Sequence, residues 1–294
     1  MANPTLLASG VAGESVEALL SVIEAGAGGA VSKSIGPNPR RGYPDPTVVR
    51  LDFGAVNAVG LANPGAVRFS RRLDSLKDSE VPIIVSIFGG SATEFSKVVE
   101  KLDGKNFMGY ELNLSCPHVE GVGTEVGHDP EVVARVVRAV KSATSKPVFA
   151  KLSPNTERIL EVARAAVDEG ADGITAINTV RAMAIDIETG RPVLSHSTGG
   201  LSGDAIRPIA LRCVFELSEF EVPIMGVGGI SKWEHAVQFL LAGASAVQIG
   251  TAAYGNYGMF KEVVRGIRNY MRRKGFRKVE EMTGLAHRRS VPRT

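Results

Sequence analysis

The sequence predicts an α/β fold: a (β/α)8 TIM barrel with hairpin insertions at its C-terminal mouth. Three observations predict it. Short runs rich in Val and Ile alternate with amphipathic helical patterns along the chain, an order that gives parallel strands joined by crossover helices. The runs are apolar on both faces, as strands must be when helices cover one side and a packed interior the other. The length, 294 residues, suits one barrel of roughly 250 residues or more and is enough to bury a large core. No linker or low-complexity tract interrupts the pattern, so residues 1–294 read as a single domain.

Eight barrel strands are expected near residues 5–9, 30–33, 83–87, 109–114, 147–151, 173–177, 223–227 and 246–250. Between them lie helices such as SVEALLSVIEAG (15–26), PEVVARVVRAVKSA (130–143) and RILEVARAAVDEG (158–170). One helix-end-to-strand pattern recurs in EAGAGGAV (24–31), DEGADGIT (168–175) and LAGASAVQ (241–248), where glycine supplies the left-handed cap that ends a helix. Two gaps of about 50 residues break the rhythm. The first holds GYPDPTVVRLDFGAVNAVGLANPG (42–65), which reads as a hairpin over the barrel mouth. The second holds AMAIDIETGRPVLSHSTGGLSG (182–203), which reads as a hairpin and a glycine-rich turn. Insertions at strand C-termini are where barrel enzymes build substrate sites.

Net charge is +3, from 34 basic and 31 acidic residues, which makes no case for nucleic acid. Basic residues gather in RNYMRRKGFRK (268–278) and HRRSVPRT (287–294), read as a solvated helix face and tail. Two cysteines, Cys116 and Cys213, make no disulfide framework and cannot supply the four ligands of an iron–sulfur cluster. No metal site is expected. The N-terminus lacks a basic leader and no apolar run reaches membrane-spanning length, so a cytoplasmic, reducing location without membrane contact is expected.

Fold class does not decide chemistry. The polar residues that end the predicted strands do. The first strand ends in Ser9 and Gly10, the second in Lys33 and Ser34, the fourth in Asn113, Ser115 and Cys116, and the fifth in Lys151. The sixth ends in Asn178 and Thr179, the seventh in Gly226, Gly228 and Gly229, and the eighth in Gly250 and Thr251. GVGGI (226–230) and IGT (249–251) expose backbone N–H groups beside a helix start, the usual phosphate cup of barrels; a plain tight turn is the other reading. Lys33 and Lys151 close apolar strands, where a buried ammonium needs an anion. A structural salt bridge would serve, and so would a phosphorylated flavin whose reduced ring is anionic. Cys116, beside Asn113 and Ser115, is a candidate base or nucleophile, whereas Cys213 in ALRCVFEL (210–217) reads as core. Asn57, Asn113 and Asn178 offer amides that suit a planar ring of alternating C=O and N–H groups.

KSIGPNPRRGYPDP (33–46), VNAVGLANPG (56–65), NLSCPH (113–118), FAKLSPN (149–155), INT (177–179), STGGLSG (197–203) and GVGGI (226–230) together resemble the class 1 dihydroorotate dehydrogenases. Order and spacing agree from about residue 3 to 270. The resemblance implies an FMN-dependent flavoprotein oxidoreductase of pyrimidine (UMP) biosynthesis, with one FMN per chain. Cys116 would remove the C5 proton of dihydroorotate, and hydride would pass from C6 to flavin N5. Lys33, Asn57, Leu61, Asn113, His118, Asn178 and Thr179 would hold the substrate. Ser9, Gly10, Lys33, Ser34, Asn113, Lys151, Ile177, Gly203, Gly228, Gly229, Gly250 and Thr251 would hold FMN. The segment from Pro117 to His128 would act as a lid that excludes water. GLANPG (60–65) and STGGLSG resemble the NAD-linked subclass, which implies a homodimer core and an electron-transfer subunit carrying FAD and a [2Fe-2S] cluster. His118 stands where the common pattern NxSCPN has asparagine. SCPH is also the pattern of dihydropyrimidine dehydrogenases, so uracil or thymine reduction is the alternative that the resemblance leaves open.

Overall fold

A computed structural model describes residues 1–13, 15–76, 81–115 and 126–288. The chain starts with β1 (Thr5–Leu7), α1 (Val16–Glu24), β2 (Gly29–Val31) and the pair β3 (Val48–Leu51) and β4 (Gly54–Asn57). It continues through α2 (Ala66–Leu73), β5 (Ile83–Ile87), α3 (Ala92–Leu102), β6 (Gly109–Asn113), α4 (Pro130–Ala143), β7 (Val148–Leu152) and α5 (Ile159–Asp168). Then come β8 (Gly173–Ala176), β9 (Val180–Met183), β10 (Ile185–Asp186), β11 (Arg191–Pro192), β12 (Thr198–Ser202) and α6 (Arg207–Leu217). The last elements are β13 (Ile224–Val227), α7 (Trp233–Ala242), β14 (Ala246–Ile249) and α8 (Met259–Lys274).

Eight strands close a parallel barrel in the order β1, β14, β13, β8, β7, β6, β5, β2. All eight expected strands are present, several ending a residue or two earlier than expected, where the chain turns into the mouth. The three expected helices form α1, α4 and α5, and local capping explains two of their starts. Ser15 Oγ accepts from Ala18 N at 3.2 Å, and Asp129 caps α4 with Pro130 in the first turn, where a missing N–H costs nothing.

Successive strand residues point to opposite faces, so the barrel has two cores. Leu7, Ile87, Leu112 and Ile249 pack outward against the helices. Leu6, Val31, Ile84, Met225 and Ala246 fill the barrel's interior. Two residues further along the same inward faces the chemistry changes. Ser86, Glu111, Lys151, Thr175 and Gln248 form a fully or nearly buried polar layer. This layer is the floor of the mouth. Cys213, expected in the core, is fully buried in α6, and burial pushes its thiol pKa up.

The insertions differ from expectation. Two separate hairpins were the reading; instead, they join into one antiparallel sheet in the order β3, β4, β12, β9. Residues 198–202, read as part of a glycine-rich turn, are strand β12, pairing with Asn57 on one side and Arg181 on the other through Gly200. Without side chains, Gly199 and Gly200 let this strand run hard against its neighbours. A Cβ on Gly199 would lie 2.5 Å from Asn57 O, and one on Gly200 would lie 2.0 Å from Thr179 Oγ1. Among the described residues no helix is long and apolar enough to cross a membrane.

Candidate active site

Between the barrel rim and the mouth sheet lies a cavity of about 930 Å³, near the upper end of the usual range for small-molecule and cofactor sites. Every predicted site residue within the described portion lines it. β1 leads to Ser9 and Gly10, β2 to Lys33 and Ser34, and β6 to Asn113 and Ser115. β7 supplies Lys151, and β8 leads to Ile177, Asn178 and Thr179. β13 and β14 lead to Gly228, Gly229, Gly250 and Thr251, while the mouth sheet and its flanks bring Asn57, Leu61 and Gly203. Cys116 and His118 lie outside the described residues, as does most of the expected lid; of that segment only Val126–His128 is described, as a short turn.

The three asparagines are held in place rather than loose. Asn178 Nδ2 donates to Asn113 Oδ1 at 3.2 Å, and Asn113 Nδ2 donates to Ser34 Oγ at 3.0 Å. Ser34 and Ser86 share a hydroxyl contact of 2.9 Å. Asn57 Nδ2 donates to Gly200 O at 3.1 Å. Each Nδ2 carries two hydrogens, so one orients the amide and the other is left for a ligand. Thr179 N is anchored on Asn178 Oδ1 at 2.9 Å. Preorganised neutral donors and acceptors of this kind suit a planar heterocycle. Because Gly200 makes room for Thr179 and orients Asn57, Gly200→Ala is expected to raise KM for the organic substrate by at least about tenfold, with little loss of cofactor. Steady-state kinetics beside flavin content would check it, and an unchanged KM would remove the close packing from the argument.

The floor carries a buried ion pair. Lys151 Nζ lies 3.1 Å from Glu111 Oε1, with side-chain exposures of 7% and 0%. Gln248 Nε2 donates to the other carboxylate oxygen at 2.7 Å. The sequence offered a salt bridge or an anionic ligand for Lys151; the structure shows the bridge and turns the same lysine to the cavity.

The loops after the seventh and eighth strands, read as a phosphate cup, line one side of the cavity. Gly228 and Gly229 have φ of 135° and 69°, backbone that side chains rarely adopt. Thr251 Oγ1 donates to Ser202 Oγ at 2.7 Å, tying the cup to the mouth sheet. Behind it His235 is buried. Its Nδ1 lies 3.3 Å from Ser231 N and 3.2 Å from Arg207 Nη1, and Arg207 also reaches Gly229 O at 3.4 Å. Two donors on Nδ1 require the neutral ring. Burial foremost, then the Arg207 charge, hold its pKa below the ordinary 6.5. The unfolded chain therefore takes up a proton near pH 6.5 that the folded chain resists. This contribution to stability is present above that pH and is lost as pH falls below it. Melting temperatures between pH 8 and 5 should fall more steeply for the wild type than for His235→Gln; equal slopes would remove His235 as the cause.

Sequence reasoning missed Glu111 and Gln248, and the signal was available. Glu111 is two residues before Asn113 and shares its face. It also missed the rim, where Tyr43 and His196 stack with ring centroids 4.1 Å apart and Arg40, Arg50 and Arg181 line the cavity; these residues sit in the insertions, whose pairing was not read.

A family model described as dihydroorotate dehydrogenase matches residues 1–271. The chain belongs to the dihydroorotate dehydrogenase family. Within that family it is similar to a Pyrococcus furiosus protein named dihydroorotate dehydrogenase B (NAD(+)), catalytic subunit. Identity is 52% over 288 residues, covering 97% of this chain and 95% of the relative. The protein of the same name from Methanosarcina mazei is 48% identical over 288 residues, covering 97% of this chain and 92% of the relative. That from Thermoplasma volcanium is 47% identical over 291 residues, covering 98% and 96%. These relatives give the dihydropyrimidine alternative no support. For a dihydroorotate dehydrogenase the donor set is apt: glycine loops for a phosphate, an ammonium on the floor, and amides beside it. The residues present fit FMN on these structural grounds.

Proposed function

We propose that this chain is an FMN-containing catalytic subunit that oxidises dihydroorotate to orotate in pyrimidine biosynthesis. The observation that carries the proposal is the convergence of the predicted residues from seven barrel strands and both insertions on one cavity floored by the Lys151 ammonium. The phosphate would sit on Gly228, Gly229, Gly250 and Thr251. Ser9, Gly10, Ser34, Asn113, Ile177 and Gly203 would line the cofactor's body, with Lys33 and Lys151 supplying positive charge. When bound, FMN supplies a hydride acceptor whose reduced form is anionic.

The chain's own residues do the rest. Asn57, Asn113, Asn178 and Thr179 orient the pyrimidine ring, with Leu61, Lys33 and His118 completing the pocket. Cys116 takes the proton from C5 while C6 loses hydride, so the C5=C6 double bond forms with electrons and protons balanced. The segment from Pro117 onward excludes water during that step. The names of the relatives support a second subunit. Its cofactors would be FAD and a [2Fe-2S] cluster, on a homodimer core of this chain, in the cytoplasm. The proposed unit of folding is one domain spanning residues 1–294.

The test is direct. The purified chain should be yellow, and anaerobic dihydroorotate should bleach the flavin band. A flavin-loaded protein that stays yellow with dihydroorotate but responds to dihydrouracil would overturn the substrate assignment.

A further inference from the structure

We infer that Glu111 and Gln248 are positioning residues that hold the Lys151 ammonium at the flavin edge and supply its counter-charge while the flavin is oxidised. The inference rests on reading the cavity as an FMN site. Glu111 is the one fully buried Asp or Glu among the described residues, and Lys151 the one buried Lys or Arg. They meet each other, inside the barrel, one layer below the mouth.

Folding does not ask for this pair. Buried ion pairs often stabilise no better than apolar groups of the same volume, and barrel interiors are ordinarily filled with apolar side chains. The layer beneath is filled that way, by Leu6, Val31, Ile84, Met225 and Ala246. The polar layer also leaves Gln248 Oε1 and Thr175 Oγ1 buried without a hydrogen-bond partner, a further cost. A polar layer kept at that cost points to a task.

The geometry says which task. Lys151 lines the cavity, whereas Glu111 and Gln248 do not. The carboxylate therefore reaches a ligand only through the lysine. One carboxylate oxygen takes the ammonium at 3.1 Å and the other takes the Gln248 amide at 2.7 Å. The amide fixes the carboxylate's plane, and the carboxylate fixes the ammonium. Oxidised flavin is neutral and gives a buried cation no partner, while reduced flavin is an anion. Glu111 provides the partner in the half of the cycle when the flavin does not. Of the other cations, Lys33 lines the same cavity, and Arg40, Arg50 and Arg181 line it from the insertions.

Four FMN-reconstituted proteins test this: wild type, Glu111→Gln, Lys151→Met and the double variant. Two constants are read, FMN dissociation by recovered flavin fluorescence and sulfite dissociation by loss of flavin absorbance. Sulfite adds its lone pair to flavin N5 and the ring becomes an anion, so its affinity reports positive charge held at the far edge. Glu111→Gln alone should tighten sulfite binding by about tenfold, since the oxidised flavin then leaves the ammonium without its counter-charge and the anionic adduct supplies one. In the Lys151→Met background the same change should leave sulfite binding nearly unchanged, since the carboxylate acts on the ligand only through the lysine and, left unpaired in the interior, takes up a proton. Gln248→Met, which leaves the pair intact, should shift sulfite affinity in the direction of Glu111→Gln by a smaller factor with FMN retained. Equal effects of Glu111→Gln in both backgrounds would overturn the inference, as would an unchanged or weaker sulfite complex in the single variant. A wild-type chain that does not retain FMN would instead overturn the cofactor reading, whatever the variants do.

Discussion

Substituting Cys116 by alanine is expected to slow reduction of bound FMN by dihydroorotate by about 10²–10⁴-fold, the usual contribution of a positioned general base, with FMN still in place. The structure leads to this residue without describing it. β6 carries Asn113 into the amide chain that runs to Asn178 and Ser34. Ser115 lines the cavity two residues later, and Cys116 is next in sequence. Cys116 is not among the residues proposed to hold the cofactor, so the variant separates proton removal from flavin binding. Single-turnover reduction measured by stopped flow reads the chemical step alone. A variant that is reduced at nearly the wild-type rate would take Cys116 out of the mechanism.

Lys151→Ala should fail differently, by losing both cofactor and stability. The change leaves the Glu111 carboxylate buried with only the Gln248 amide for company. Breaking a buried pair from one side costs about 3–5 kcal/mol, which for a chain of this size lowers Tm by on the order of 10 °C. Paired measurements on apoprotein divide the effects: Tm without FMN reports the orphaned charge, and flavin content after gel filtration reports the lost cation. An apoprotein that melts like the wild type would show that the pair is solvated or dispensable. Full flavin retention would remove Lys151 from the cofactor's site.

The barrel was legible because its signals are local. Each strand is an apolar run, seven of the eight leading into polar residues or glycines, and each helix a periodic face, two of those read carrying a side-chain cap at the start, at Ser15 and Asp129. The cavity's main residues were legible for the same reason, since strand ends in a parallel barrel all reach one rim. What stayed hidden was pairing across distance. Asn57 and Gly200 are 143 positions apart, and nothing in either segment names the other as partner. TGGLS looks like a turn by composition, and it is a strand because only glycine fits between Asn57 and Thr179. Glu111 was hidden in another way. It sits within the fourth barrel strand rather than at its end, and only its parity with Asn113 shows that it points inside the barrel. Gln248, two positions before Gly250, was passed over for the same reason.

The shared sheet of the two insertions has a consequence for the order of events in the cell. β4 leaves the chain before the third barrel strand and β12 returns after the sixth, so their pairing closes a loop that encloses half the barrel. Closing a loop of that length is entropically slow, so this contact is expected to follow the pairing of the intervening strands. The outer wall of the cavity, with Asn57 beside Gly200, is then among the last parts of the molecule to exist. A half-assembled barrel would present the loops after the seventh and eighth strands without the mouth sheet over them. On the proposed reading, a cofactor held between rim and sheet would be retained only by a chain whose barrel is complete.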